Sequence, residues 1–295
     1  MTPLEEGFLL LGSCLGNPER KPLSTAQLRT LAMRAAAMEK PAQDRELIPA
    51  DFLSMGYGEA MAEHLCNLLN ETQLLRHYLH KARQCGCVPI TRVTGGYPTV
   101  LRQRLGLDSP GVLWAKGDLS ILQKPAVALV GSRDIEKENA AFAAKVGTEA
   151  ARQGYVLISG NARGADRIAQ KACLNAGGQV LSVVADELMG QEPRSNVLYL
   201  SEDGFDLPFS SQRAHSRNRV IHALGEMTFV AQCALGRGGT WSGTLRNLKE
   251  NWSGVYCYQD GSEAAAQLEQ LGAHLLDLCR LENFAALSEK SLSFF

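Results

Sequence analysis

Three short stretches combine glycine with side chains able to hold an anion: Val130-Gly131-Ser132-Arg133-Asp134, Ser159-Gly160-Asn161-Ala162-Arg163-Gly164-Ala165-Asp166 and Leu235-Gly236-Arg237-Gly238-Gly239-Thr240-Trp241-Ser242-Gly243. In each, an apolar run ends, glycine lets the backbone turn tightly or approach a ligand, and a helix-like pattern follows. A helix begins with free N–H groups and a partial positive charge, so such junctions suit phosphate. Arg133 and Arg163 add a guanidinium fork that matches phosphate geometry. Asp166 is expected to orient Arg163 or to cap the helix as structural support, since it would repel an anion.

A fourth stretch runs from Phe209 through Arg213, His215, Arg217, Asn218 and Arg219 to Leu224, and is the most basic short segment of the chain's second half. Read as one helix over 211–224, it sets Arg213 and Arg217 at i, i+4 on one outward face, with Val220, Ile221 and Leu224 on the packed side. Phe209 then becomes a platform on which a nucleobase stacks. The competing reading is a solvated helix face paired with scattered carboxylates, with Phe209 a core contact.

Absent motifs narrow the chemistry. Gly131-Ser132-Arg133 is not the G-x-G-x-x-G fingerprint, and Ser159 stands where a dinucleotide site needs an acidic residue for the ribose. No G-x-x-x-x-G-K-[ST] loop occurs. His215 and His222 are the available proton donors, although a lone histidine on a helix is more often a surface or packed residue. The eight cysteines, at 14, 66, 85, 87, 173, 233, 257 and 279, form no Cys-x-x-Cys pair and lack histidines at zinc spacing, so no metal is expected. Cys85-Gly86-Cys87 is the one close pair, read as a loop leading into a strand. No cofactor is expected.

The elements that must position these residues come from a chain of 295 residues, 45% hydrophobic and 21% charged, a composition that excludes disorder. The formal net charge of -1 removes the global basicity that drives nonspecific nucleic-acid binding, so any such binding must be local. No run approaches the roughly 18 apolar residues of a membrane span, and the N-terminus is acidic where a secretory signal is basic; a cytoplasmic protein is expected.

Residues 1–84 read as a mainly helical N-terminal region. Ser24 to Gln27 is a capping-box pattern opening a helix over 26–38, and helical register runs over 59–83. Residues 85–124 carry two short strands, 88–93 and 112–117, and a joint. From 125 to 295, apolar runs at 126–130, 155–158, 180–184, 197–200, 227–231 and 255–258 alternate with helical segments at 139–153, 164–176, 211–224, 243–250 and 262–271. Strands apolar on both faces between helices predict an α/β fold, a doubly wound and mostly parallel Rossmann-like sheet that binds ligands beyond its carboxyl edge.

In order and spacing, Val127 to Arg133, Ser159 to Asp166, Ser216 to Ile221 and Gly238 to Gly243 resemble the DNA-processing protein A (DprA, or Smf) family. Tyr97-Pro98-x-x-Leu101 and Val112-Leu113-x-x-Lys116-Gly117 resemble that family's entry into its Rossmann-like domain. The resemblance implies a noncatalytic single-stranded DNA binder, a homodimer and, in natural transformation, a partner that loads a RecA-type recombinase. By position it implies DNA or phosphate contacts at Gly131, Ser132 and Arg133, at Ser159, Gly160, Arg163 and Gly164, and at Arg217, Asn218 and Arg219, with an inward Arg219 that ties the sheet together as the alternative for that residue. With Phe209, Arg213, Gly238, Gly239 and Thr240 these complete the expected site. The sequence after Gly272 is too short for the family's C-terminal winged-helix-like domain, and the third glycine junction differs from the usual form, which suggests a divergent branch. The alternative is a nucleotide-binding protein or nucleotide N-glycosidic hydrolase using the same pocket. That class carries a glutamate shortly after its Gly-Gly-x-Gly-Thr loop, whereas here no carboxylate follows Gly239 until Glu250.

Overall fold

A computed structural model describes residues 1–38, 46–202 and 204–287. Five helices come first: α1 (Pro3–Gly12), α2 (Thr25–Ala36), α3 (Pro49–Ser54), α4 (Glu59–Asn70) and α5 (Thr72–Gln84). Helix α1 starts at a reciprocal cap in which Glu5 N–H donates to Thr2 Oγ1 at 3.3 Å and Thr2 N–H donates to Glu5 Oε2 at 2.7 Å. The register expected to run unbroken over 59–83 is divided at Glu71, whose backbone (φ -77, ψ 38) leaves the helix. A buried arginine sits at that break: Arg20 Nε donates to Glu71 Oε2 at 2.5 Å and its Nη atoms donate to Ser13 O and Leu10 O. Leu9, Leu75 and Tyr78 of α1 and α5 pack into the core beneath the sheet, whereas Leu31, Phe52, Leu65 and Leu68 of α2–α4 form a separate cluster.

Among the described residues nine strands make one sheet: β1 (Cys87–Thr91), β2 (Val112–Lys116), β3 (Ala126–Val130), β4 (Val156–Ser159), β5 (Val180–Val183), β6 (Val197–Glu202), β7 (Met227–Val230), β8 (Gly254–Tyr258) and β9 (His274–Leu276). Their spatial order is β1-β2-β6-β5-β4-β3-β7-β8-β9. The seven strands from β6 to β9 run parallel, and β2 pairs antiparallel with both β1 and β6. Strands β2 to β7 are buried along their whole length, as apolar strands covered on both faces must be. The short edge strand β9 lay outside the expected set.

Helices α7 (Lys137–Arg152) and α8 (Ala165–Asn175) cover one face together with α5. Helices α6 (Thr99–Leu105), α10 (Asn218–Leu224), α11 (Gly238–Glu250) and α12 (Glu263–Gln270) cover the other, with α9 (Ser211–Ser216) leading into α10. The chain winds from β3 through β4 and β5 to β6, then crosses back to place β7 on the opposite side of β3. This reversal opens a crevice at the carboxyl ends of β3 and β7, because their following loops diverge to opposite faces.

Candidate nucleic-acid interface

That crevice has a volume of about 370 Å³ and brings together Gly131, Ser132, Arg133, Asp166, Arg217, Asn218, Gly238, Gly239 and Thr240. The last three form the first turn of α11, which begins at Gly238 rather than at the expected Gly243. No side chain caps that end, and the N–H groups of Gly238, Gly239 and Thr240 have no partner among the described residues. It is an open helix N-terminus of the kind that favours an anion. Thr240 Oγ1 donates to Gly131 O at 3.0 Å and Asn218 Nδ2 donates to Gly239 O at 3.0 Å, so β3, α10 and α11 are tied around the crevice.

The other two junctions are less open than their sequences suggest. Ala165 N–H, the first of α8, donates to Ser132 O at 3.1 Å. Gly164 makes this approach possible: its φ is +86, and a Cβ there would lie 2.4 Å from both Arg133 O and Ser132 O. Asp166 Oδ2 accepts from Gly160 N–H at 3.1 Å and Ala162 N–H at 3.2 Å, fixing the loop in place. Helix α7 starts away from the crevice, with Glu136 N–H donating to Gln232 Oε1 at 2.9 Å.

Arg213 and Arg217 do not share an outward face. The expected single helix is two, meeting at Arg217, and both guanidiniums turn inward. Arg217 is 7% exposed; its Nη1 donates to Val183 O at 2.5 Å and its Nε has no partner among the described residues. The space it fills is left by Gly160, where a Cβ would fall 1.6 Å from Nη1. Burial lowers Arg217, opposed by the Asp166 charge, and burial raises Asp166, opposed by Arg217 and the two N–H donors. Arg213 Nη1 donates to Ala185 O, Leu207 O and Pro208 O, and Nη2 to Ser201 Oγ, which spends the side chain on holding α9 to the ends of β5 and β6. Arg219 pairs with Glu202 at 3.0 Å and donates to Asp108 O at 2.9 Å. Most of the expected basic face is therefore internal bracing, because these arginines lie over exposed carbonyl ends of the sheet.

The remaining expected residues lie at the rim or beneath it. Arg133 is exposed and its guanidinium stands 5.9 Å from the ring centre of Phe209, itself 53% exposed. Arg163 is exposed at a neighbouring depression shared with Arg133 and pairs with Asp134 at 2.6 Å. Ser159 is fully buried and accepts from Gln170 Nε2 at 2.6 Å, so it faces the α8 side rather than the crevice. His215 of the basic stretch also lines the crevice, as does Arg237, which sequence reasoning missed although it stands inside the Gly-Arg-Gly-Gly run as the residue before the helix. Cys233 also lines it, with its thiol pushed up to about 11 by burial. His222 is buried behind α11, where Asn247 Nδ2 lies 3.2 Å from its Nδ1; burial lowers it to about 4. Among the described residues no helix is long and apolar enough to cross a membrane, and no group of three or more metal-ligating side chains occurs.

A parallel sheet whose strand order reverses beside a glycine-rich, anion-suited crevice defines a Rossmann-like ligand-binding protein. The chain belongs to the DNA recombination-mediator protein A family, which it matches over residues 89–277. It is 33% identical over 141 residues to DNA processing protein DprA of Streptococcus pneumoniae, covering 44% of this chain and 50% of that protein. It is 30% identical over 142 residues to Protein Smf of Escherichia coli, covering 44% and 38%. In these alignments the chain spans about half the length, or less, of the curated relatives it matches. The X-ray structure of DprA from S. pneumoniae superposes with a TM-score of 0.70 at 26% identity, covering 94% of this chain and 95% of that one. DprA from Helicobacter pylori, whose structure was determined for its single-stranded DNA binding mode, shares the fold with a TM-score of 0.57 at 22% identity, covering 69% and 96%.

Proposed function

We propose that the chain binds single-stranded DNA without altering it, holding the phosphate backbone in the crevice between β3 and β7, and acts in DNA uptake, transformation or recombination. The observation that carries this reading is the crevice itself, which brings the buried Arg217 beside the uncapped first turn of α11. A buried cation beside free helix N–H groups makes the crevice electropositive, and an entering phosphate meets both. At the rim, Arg133 contacts a phosphate and Phe209 stacks a base. Arg163 joins them by exchanging its exposed Asp134 partner for phosphate, a weak pairing to give up.

Binding is favoured over hydrolysis because no carboxylate follows the Gly238-Gly239 loop until Glu250, where the hydrolase class needs one close behind its glycines. A base-catalysed reaction needs a carboxylate free to take a proton. Membership of a recombination-mediator family supports the same reading, and with it a homodimer that hands strands to a RecA-type recombinase in the cytoplasm.

Fluorescence anisotropy with labelled oligo(dT), duplex DNA and mononucleotides at two salt concentrations tests the proposal. Single strands are expected to bind most tightly. Arg133→Ala should weaken oligo(dT) binding about tenfold or more, the worth of a charge-assisted bond of about 1.5–3 kcal/mol. Preferred binding of a mononucleotide with release of its base, or unchanged oligo(dT) affinity in Arg133→Ala, would refute it.

A further inference from the structure

Three arginines outside the crevice gather on the same edge of the sheet without an acidic partner. Arg92 follows β1, Arg102 lies on α6, and Arg29 lies on α2, which packs beside residues 106–108. Arg102 Nη1 donates to Arg92 O at 3.4 Å, and its guanidinium stands 5.8 Å from the Tyr97 ring centre. Arg29 and Arg102 are exposed and Arg92 is half-buried. Burial lowers Arg92, opposed by Tyr97, and the charges of Arg102 and Arg29 lower it further. No carboxylate among the described residues forms an ion pair with any of the three. The acidic groups of the surrounding elements are occupied: Asp108 by Arg246 at 2.5 Å, Glu202 by Arg219 and Glu5 by the cap of α1.

Like charges held together without a counter-charge repel one another, and a chain of phosphates relieves that repulsion. The sheet sets the geometry. Thr91 is level with Val112, and the next residue, Leu113, is level with Glu202, so β1 ends at the same edge as β6 and, through the parallel strands, as β3. Five interstrand spacings separate β1 from β3, about 24 Å at about 4.8 Å each. Helices α6 and α10 pack together on one face of the sheet across that interval.

We propose that Arg29, Arg92 and Arg102 form a second phosphate-binding surface, which takes the continuation of a DNA single strand whose first nucleotides lie in the crevice. The proposal rests on the crevice reading above. It makes affinity depend on strand length, since an oligonucleotide that only fills the crevice cannot span the interval.

The test uses the full chain with labelled oligo(dT) of about 3 and about 20 nucleotides, lengths below and above the roughly 4–16 nucleotides of one single-strand site. In the charge-removing variant Arg29→Gln/Arg92→Gln/Arg102→Gln, affinity for the long strand should fall about tenfold or more. The slope of log K against log salt should become shallower by about 2, from about 0.7 per lost phosphate contact. Affinity for the short strand should stay as in the wild type. The milder Arg29→Gln/Arg102→Gln pair, which spares the half-buried Arg92, and the all-lysine triple variant separate charge from folding: the first should show a partial loss, the second a nearly wild-type slope. Unchanged long-strand affinity and slope in both charge-removing variants would overturn the proposal. So would equal wild-type affinity for the two lengths, or loss of binding only to vesicles of anionic phospholipid. Failure of the wild type to bind either strand would instead remove the crevice reading, and this surface with it.

Discussion

Adding one methyl group at Gly160 tests how Arg217 is seated. An alanine Cβ there would lie 1.6 Å from Arg217 Nη1 and 2.1 Å from Cζ, so either the guanidinium leaves its place or the end of β4 moves. Gly160 is not among the residues of positive φ, and the penalty is therefore steric. Overpacking costs about 1–3 kcal/mol, and an Arg217 pushed aside also loses its charge-assisted bond to Val183 O, worth about 1.5–3 kcal/mol. Gly160→Ala should lose about 2–4 kcal/mol, with partial relaxation absorbing the rest. Arg217→Ala alone should lose about 2–4 kcal/mol, through the lost charge-assisted bond to Val183 O and the space the guanidinium leaves empty beside Gly160. In the double variant the new methyl enters the space that the guanidinium has vacated. The second substitution should then add little, giving a coupling of about 2 kcal/mol in a double-mutant cycle. Urea titrations of the four proteins, with m held in common, measure it. Effects that add to within about 0.5 kcal/mol would refute the claim that position 160 is glycine in order to seat Arg217.

Two further outcomes are expected. Phe209→Ala should weaken oligo(dT) binding by about 1–3 kcal/mol, the worth of one stacked base, with little change in salt dependence; anisotropy at two salt concentrations decides, and a change confined to the salt slope would count against stacking. His222 titrates at 6.5 when free and about 4 when folded, so the unfolded chain takes up a proton that the folded chain refuses as pH falls through this window. Its contribution is present above the upper value and is lost by about 3 kcal/mol towards the lower one. His222→Gln should therefore lose less stability than the wild type between about pH 7 and pH 4.5 in urea midpoints, and equal losses would contradict the assignment.

The strands were legible because burial on both faces demands unbroken apolar runs such as Ala126 to Val130 and Met227 to Ala231, which few loops show. Breaks inside helices were not. Hydrophobic spacing continues across Glu71 and across Arg217 as though nothing happened, since apolar contacts persist on both sides while a partner far along the chain, Arg20 in the first case, ends the helix. Capping chemistry did speak at Ser24 to Gln27, whose capping box starts α2, while the equivalent pattern at Thr2 to Glu5 reads only as an acidic N-terminus. The glycine junctions were visible as a set, and Gly131, Arg133 and Gly238 to Thr240 do meet in one crevice. Direction was the hidden quantity. Helical spacing says that Arg213 and Arg217 are neighbours, yet it cannot say that carbonyls of β5 and its following loop turn both inward. Gly160, read from sequence as turn chemistry, has no positive φ and instead leaves the space that Arg217 fills.

The inward arginines also bear on how fast a ligand is captured. Arg104, Arg213, Arg217 and Arg219 all donate to main-chain carbonyls, so their charge persists in the field while their donors are largely withheld from the surface. With a net charge of -1, that field has no long reach by which to draw a polyanion in. On the DNA reading proposed above, steering of the strand then falls to the exposed guanidiniums of Arg133 and Arg163 at the rim. On that reading salt acts on capture rate through the rim arginines, while the inward ones bear on residence time.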